Sequence, residues 1–171
     1  MTPFFPLREV NQMLPTLAAV LVEHQAVIGL QLARAANAPE HNVVATCRHV
    51  MRSVYAHLSA LKQLVIPALN VCTDTEQLQS AIETTAVALA IMAAADGTGG
   101  RDGLAAVSLS LNSLVAAEID LLASSVASTA GSDLTRLAAE VDEHFVALYG
   151  RDEEPRAEWA STQETVLRKG P

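Results

Sequence analysis

The stretch running from Asn42 to Leu69, NVVATCRHVMRSVYAHLSALKQLVIPAL, decides the fold. Within it Val43, Cys47, Val50, Val54, His57, Leu61, Leu64 and Ala68 recur at three- and four-residue steps, the period of one helix face. The spacing predicts a long helix with His57 set into its apolar stripe. Pro67 removes one backbone bond near the C-terminal end, so a kink is expected in the last turns and not in the middle.

The flanking sequence repeats the pattern. On the N-terminal side Leu14, Leu17, Leu21, His24, Ile28 and Gln31 keep the same period, predicting a first helix from Pro15 to about Ala36 with His24 facing inward. Residues from Thr2 to Met13, with Pro3 and Pro6, allow one or two helical turns at most. Asn37-Ala38-Pro39 ends the first helix and opens the second. Thr73-Asp74-Thr75-Glu76 matches a capping box, so a third helix should start there and run through Leu78, Ile82, Thr85, Leu89 and Met92.

A glycine-rich stretch from Asp96 to Gly103, DGTGGRDG, follows. It lacks the preceding strand and the Lys-Ser/Thr pair of a phosphate cradle, and is read as a connection. A fourth helix carries Leu104, Val107, Leu111, Leu114, Glu118, Leu121 and Ser125 on one face. Gly131 is expected to stop it, and Ser132 to cap a shorter fifth helix through Leu134, Leu137, Val141, Phe145 and Leu148. The expected architecture is all-α: an up-down-up-down antiparallel four-helix bundle over residues 1–150, with an appended short fifth helix, then a polar C-terminal tail over 151–171 in which Trp159 could dock.

Composition narrows the function classes. Half of the 171 residues are hydrophobic and only 4% aromatic, which suits helices packed through alanine, leucine and valine. A net charge of -8 with few lysines repels phosphate backbones, so no nucleic-acid partner is expected. Uninterrupted apolar runs such as Ala86 to Ala95 fall short of the ~20 residues a membrane span requires. The segment MTPFFPLRE lacks the features of a signal peptide, so a cytoplasmic protein is expected. Cys47 and Cys72 fall near opposite ends of one predicted helix, about 37 Å apart, too far for a disulfide.

Three polar side chains land on inward stripes: His24, His57 and Glu118. Imidazole and carboxylate groups in a dry helical core are the donor set of non-haem iron and manganese sites. They are equally what a hydrogen-bonded core requires, and a catalytic metal site wants at least three ligands converging on one point. Counted from the turn at Asn37 to Pro39, His57 lies about six residues further along its helix than His24, an expected offset of roughly 9 Å. His41 and His49 belong to the early part of the second helix, where His49 is expected on the surface, and His144 is expected at the edge of the core. No Ser/His/Asp elbow, C-x-x-C or H-E-x-x-H motif is present.

The pattern resembles the hemerythrin-like, cation-binding HHE domain family across roughly Leu14 to Val126. The likeness rests on the early histidine in LVEHQAV, on HLSALKQLVIPAL with His57 and Pro67 in register, and on LVAAE, which retains Glu118. Members of that family hold a pair of non-haem irons and use them for oxygen binding, nitric oxide or peroxide chemistry, or iron and redox sensing. The resemblance gives ligand roles to His24, His57 and Glu118. Leu61 and Lys62, Thr84 or Thr85, and Leu114 stand where the family's other ligands fall.

Three readings follow. In the first the chain is a hemerythrin-like bundle that has lost its di-iron centre, needs no cofactor, is not an enzyme, and acts as a binding or interaction module, with a second copy or another helical protein as partner. The alternative is a non-haem iron protein, di-iron or mononuclear, for oxygen, nitric oxide or peroxide binding or for sensing. In the third the bundle binds a small ligand or cofactor, with His24 or His57 as an axial ligand.

Overall fold

In the computed structural model, residues 16–70, 74–94, 100–126 and 131–150 are described. All regular structure among them is helical. Helix α1 spans Leu17–Ala36. A 3-10 turn at Glu40–Asn42 leads into α2, which comprises Val43–Ala60, a π-helical turn at Leu61–Val65 and a last α-turn at Ile66–Leu69. Helix α3 spans Glu76–Ala94, α4 Gly100–Val126 and α5 Gly131–Tyr149. Pro3, Pro6, Pro15, Cys72, Thr73 and the tail with Trp159 lie outside the described residues.

Local chemistry explains the ends. Thr16 caps α1, its side chain accepting from the Ala19 N–H at 3.1 Å. Asn37 closes the same helix, its side-chain amide donating to the Ala33 carbonyl at 2.8 Å. At the start of α3, Asp74 Oδ1 accepts from the Glu76 N–H at 2.9 Å, and the buried Thr75 ties back to Asn70 Oδ1 at 2.9 Å. Glycines differ from expectation. Gly131 opens α5 instead of closing α4, and α4 begins inside the glycine-rich stretch, at Gly100. Gly103 explains why: a Cβ there would come within 2.8 Å of Met92 Cγ and 3.0 Å of Met92 Cα. Only a residue without a side chain lets the first turn of α4 lie this close to α3.

The inward stripes follow the sequence pattern except in one place. Leu17, Leu21, His24, Ile28 and Gln31 on α1 are buried, as are Leu104, Val107, Leu111, Leu114, Glu118 and Leu121 on α4. On α2 the stripe holds through Leu61, but the next buried residues are Val65 and Leu69; Leu64 is half-buried and Ala68 exposed. The π turn causes the shift. The Ile66 N–H bonds to the Leu61 carbonyl five residues back, so the turn carries one extra residue and the stripe advances by one. The widening falls where the ring of Pro67 would otherwise press on the preceding turn.

Helix α1 packs against α2, and α3 against α4. Helix α5 has 19 residues, as many as α3, and lies against both α1 and α2. It is thus neither short nor peripheral. The buried aliphatic side chains from all five helices form one cluster, each worth roughly 1.5–3 kcal/mol on burial.

Candidate functional site

Three polar side chains meet inside that cluster. His24 from α1 is 2% exposed, His57 from α2 is 0% and Glu118 from α4 is 1%. His57 lies between the others: its Nδ1 faces His24 Nδ1 at 3.4 Å and its Nε2 contacts Glu118 Oε1 at 2.8 Å. The second carboxylate oxygen of Glu118 accepts from Gln25 Nε2. The two imidazoles meet edge to edge, with planes at 88°. The expected 9 Å offset is absent. His24 lies twelve residues before the end of α1 and His57 fourteen after the start of α2, a difference of about 3 Å. The 3-10 turn takes up the residues that separated them in a count from Pro39.

Helix α5 completes the surroundings of His24. Phe145 stacks on its ring at 3.8 Å between centroids and 14° between planes, and Tyr149 stacks on Phe145 in turn. Asp142 Oδ1 is 3.5 Å from His24 Nε2, but no hydrogen bond forms and that nitrogen has no partner. Burial is the main reason that His24 titrates low, at about 4; positive charge on His57 adds to it, and Asp142 partly opposes it. His24 is therefore neutral at physiological pH.

The carboxylate end of the chain has a defined direction: His57 donates through Nε2–H to Glu118, and Gln25 donates to the other carboxylate oxygen. The two Nδ1 atoms face each other, and His24 Nε2 faces Asp142 without a hydrogen bond. This arrangement gives a buried carboxylate two donors, which meets the requirement that buried charge be hydrogen-bonded.

The same geometry tests the donor set against a di-iron centre. His57 directs one nitrogen to each neighbour, and Glu118 is held between His57 and Gln25. The positions at which the resemblance would place further ligands are otherwise occupied. Leu61 and Leu114 are fully buried, Thr84 is exposed, and Thr85, also buried, donates to its own Ala81 carbonyl at 2.9 Å. Among the described residues no three His, Cys, Asp or Glu side chains are grouped to hold a metal ion. The donor set does not fit two irons.

A second polar cluster lies on α2 and α5. His144 Nε2 meets Ser59 Oγ at 2.9 Å, and Gln63 Nε2 donates to the same oxygen at 3.1 Å. A serine that already accepts from an amide is a structural tie more than a nucleophile. His49 is exposed, as the sequence suggests, and so is His41. Cys47 is buried, which pushes its thiol pKa up.

Sequence reasoning found the three central residues and missed Gln25, Asp142 and Phe145 as their partners. Gln25 and Asp142 each sit one position beyond an inward residue, at the border of the stripe, where a periodicity count assigns them to solvent. Phe145 was legible as core, but not as the ring beneath His24.

Compared with known proteins, the chain matches no family model, no curated protein and no solved structure.

Proposed function

We propose that this chain is a metal-free helical interaction module, hemerythrin-like in layout, whose interior histidines fix the packing and whose outer surface binds a protein partner in the cytoplasm. The helices are arranged as an up-down-up-down bundle of α1 to α4 with α5 laid across α1 and α2. Short connections and the pairwise packing of α1 on α2 and α3 on α4 support that arrangement.

One observation carries the reading. His57 is engaged on both nitrogens by protein groups, and Glu118 on both oxygens, so these two candidate ligands are already occupied from within. Aliphatic side chains at Leu61 and Leu114 stabilise such a core without an ion. The test is thermal unfolding of the full chain with added Fe²⁺ and with a chelator. Both should leave the midpoint where it is; a chelator-induced fall of several degrees would sink the proposal.

A second reading, a single non-haem iron serving oxygen, nitric oxide or peroxide chemistry or sensing, keeps one observation in its favour. Each imidazole turns Nδ1 toward the other and Nε2 toward a carboxylate, the outer-sphere layout of metal-bound histidines, and a π turn follows His57 directly. His24 and His57 would hold the ion. This reading requires iron to copurify or bind at one per chain, and His57→Ala to abolish the binding.

A further inference from the structure

Helix α4 has 27 residues, and the fold uses one side of it. On the opposite side Ala105, Leu109, Asn112, Ala116, Ile119 and Ala123 are all exposed, at steps of four, three, four, three and four residues. That spacing is the seam of a coiled coil. Leu109 is 71% and Ile119 60% exposed, whereas the buried stripe from Leu104 to Leu121 runs along the far side.

The seam is almost uncharged. Between Leu104 and Ser125 the one exposed charged residue is Asp120, although the chain carries a net charge of -8. The other long helices expose charge instead: Glu23 and Arg34 on α1, Arg48 and Lys62 on α2, Glu76 and Glu83 on α3, Arg136 and Glu140 on α5. Two acidic molecules can therefore meet along the length of α4 with few opposing like charges.

We infer that α4 is the contact surface for a second copy of this chain, packed antiparallel about a two-fold axis level with Leu114. The seam is symmetrical about that residue. Leu109 and Ile119 lie five positions to either side, Ala105 and Ala123 nine, and Asn112 and Ala116 two. In an antiparallel pair Leu109 of one copy faces Ile119 of the other, both ends close alanine on alanine, and Asn112 faces Ala116. The small residues allow the close interaxial approach of helix pairs. Asn112 is a polar residue at a seam position, the type that fixes register at some cost in stability.

The seam from Ala105 to Ala123 is about 27 Å long and about 10 Å wide, so a dimer buries on the order of 500 Å² in total, the size of a weak, concentration-dependent association. Arg101–Ser125 also has the length and mean hydropathy, 1.5, of a membrane-crossing segment. Crossing would strip Glu118 of His57 and Gln25, so the outward stripe alone is free to dock.

This inference names the partner within the interaction-module reading and is tested separately from it. Sedimentation of the full chain from about 5 to about 300 µM should show a reversible shift from 18.1 kDa toward twice that mass. Leu109→Glu and Ile119→Lys should each remain monomeric with unchanged helical content, while Val22→Asp on the outer face of α1 should still dimerise. Mixing the two α4 variants should restore a dimer, since the new glutamate of one copy then faces the new lysine of the other. A wild-type monomer at 300 µM overturns the inference, whether or not it sediments with anionic lipid vesicles; so does a dimer that both variants leave intact. Mixing without rescue overturns the antiparallel pairing. Iron binding would defeat the metal-free reading and leave the dimer result standing.

Discussion

Glu118 and Ile119 are neighbours in the chain and opposites in placement. The carboxylate is 1% exposed and the isoleucine 60% exposed, the reverse of what their chemistry prefers. Each inversion has its own cause. Glu118 is held in the core by donors on both oxygens, so its burial is a property of the chain from His24 through His57. Ile119 has no cover among the described residues, and its exposure is the basis for the partner inferred above. One helix thus separates an inward face that is polar and complete from an outward face that is apolar and incomplete.

The inward face should be the more fragile. Glu118→Ala leaves the His57 Nε2–H and the Gln25 amide without acceptors in the core, and about 3–5 kcal/mol of stability should be lost in urea unfolding. Glu118→Gln, which keeps an acceptor for His57, should lose less. The sharper experiment replaces the whole chain with apolar groups, His24→Phe, His57→Leu and Glu118→Leu together. It should recover most of the loss, because nothing polar is left unpaired; a triple variant as unstable as Glu118→Ala would mean that the polar chain does more than satisfy itself.

Acid should probe the same face. The folded pKa of His24, about 4, lies below its ordinary 6.5, so the folded state holds fewer protons than the unfolded chain between those values. The contribution of a neutral buried His24 is complete above pH 6.5 and disappears as the pH falls toward 4. It is on the order of 3 kcal/mol. His24→Phe, which keeps the stack on Phe145, should flatten the stability profile in that window; an unchanged slope would place the acid sensitivity elsewhere.

Smaller effects belong to the close contact between α3 and α4 and to the outer surface. Gly103→Ala puts a methyl against Met92 and should cost about 1–3 kcal/mol by thermal unfolding. Charged substitutions at Leu109 or Ile119 should change the stability of the single chain by no more than about 0.5 kcal/mol. Their effect should appear in association instead, and that contrast with Glu118 separates the two faces of α4.

The period of three and four residues made the helices and their buried faces legible, since burial on a helix is dictated by angle alone. It failed at Leu64 and Ala68, where the π turn inserts a residue and no sequence pattern announces the change of register. It also failed at Gly103, because glycine signals a helix end and close packing with the same letter, and at Gly131, which opens a helix with open space around it. His24, His57 and Glu118 were legible as inward groups. Their contacts were not, since the distance between His24 and His57 depends on how many residues the 3-10 turn consumes. The seam on α4 needed the structure for a different reason: an apolar residue on a helix is assigned to a core until burial shows that no core covers it.

The most direct measurement is the ¹⁵N spectrum of the two core imidazoles, recorded before and after adding Zn²⁺ as a diamagnetic stand-in for Fe²⁺. A proton on Nε2 of His57, a neutral His24, and no change on adding metal are the expected results. A displaced resonance from Nδ1 of both rings after metal addition would contradict the account, because it would show that these nitrogens are ligands and not partners of each other.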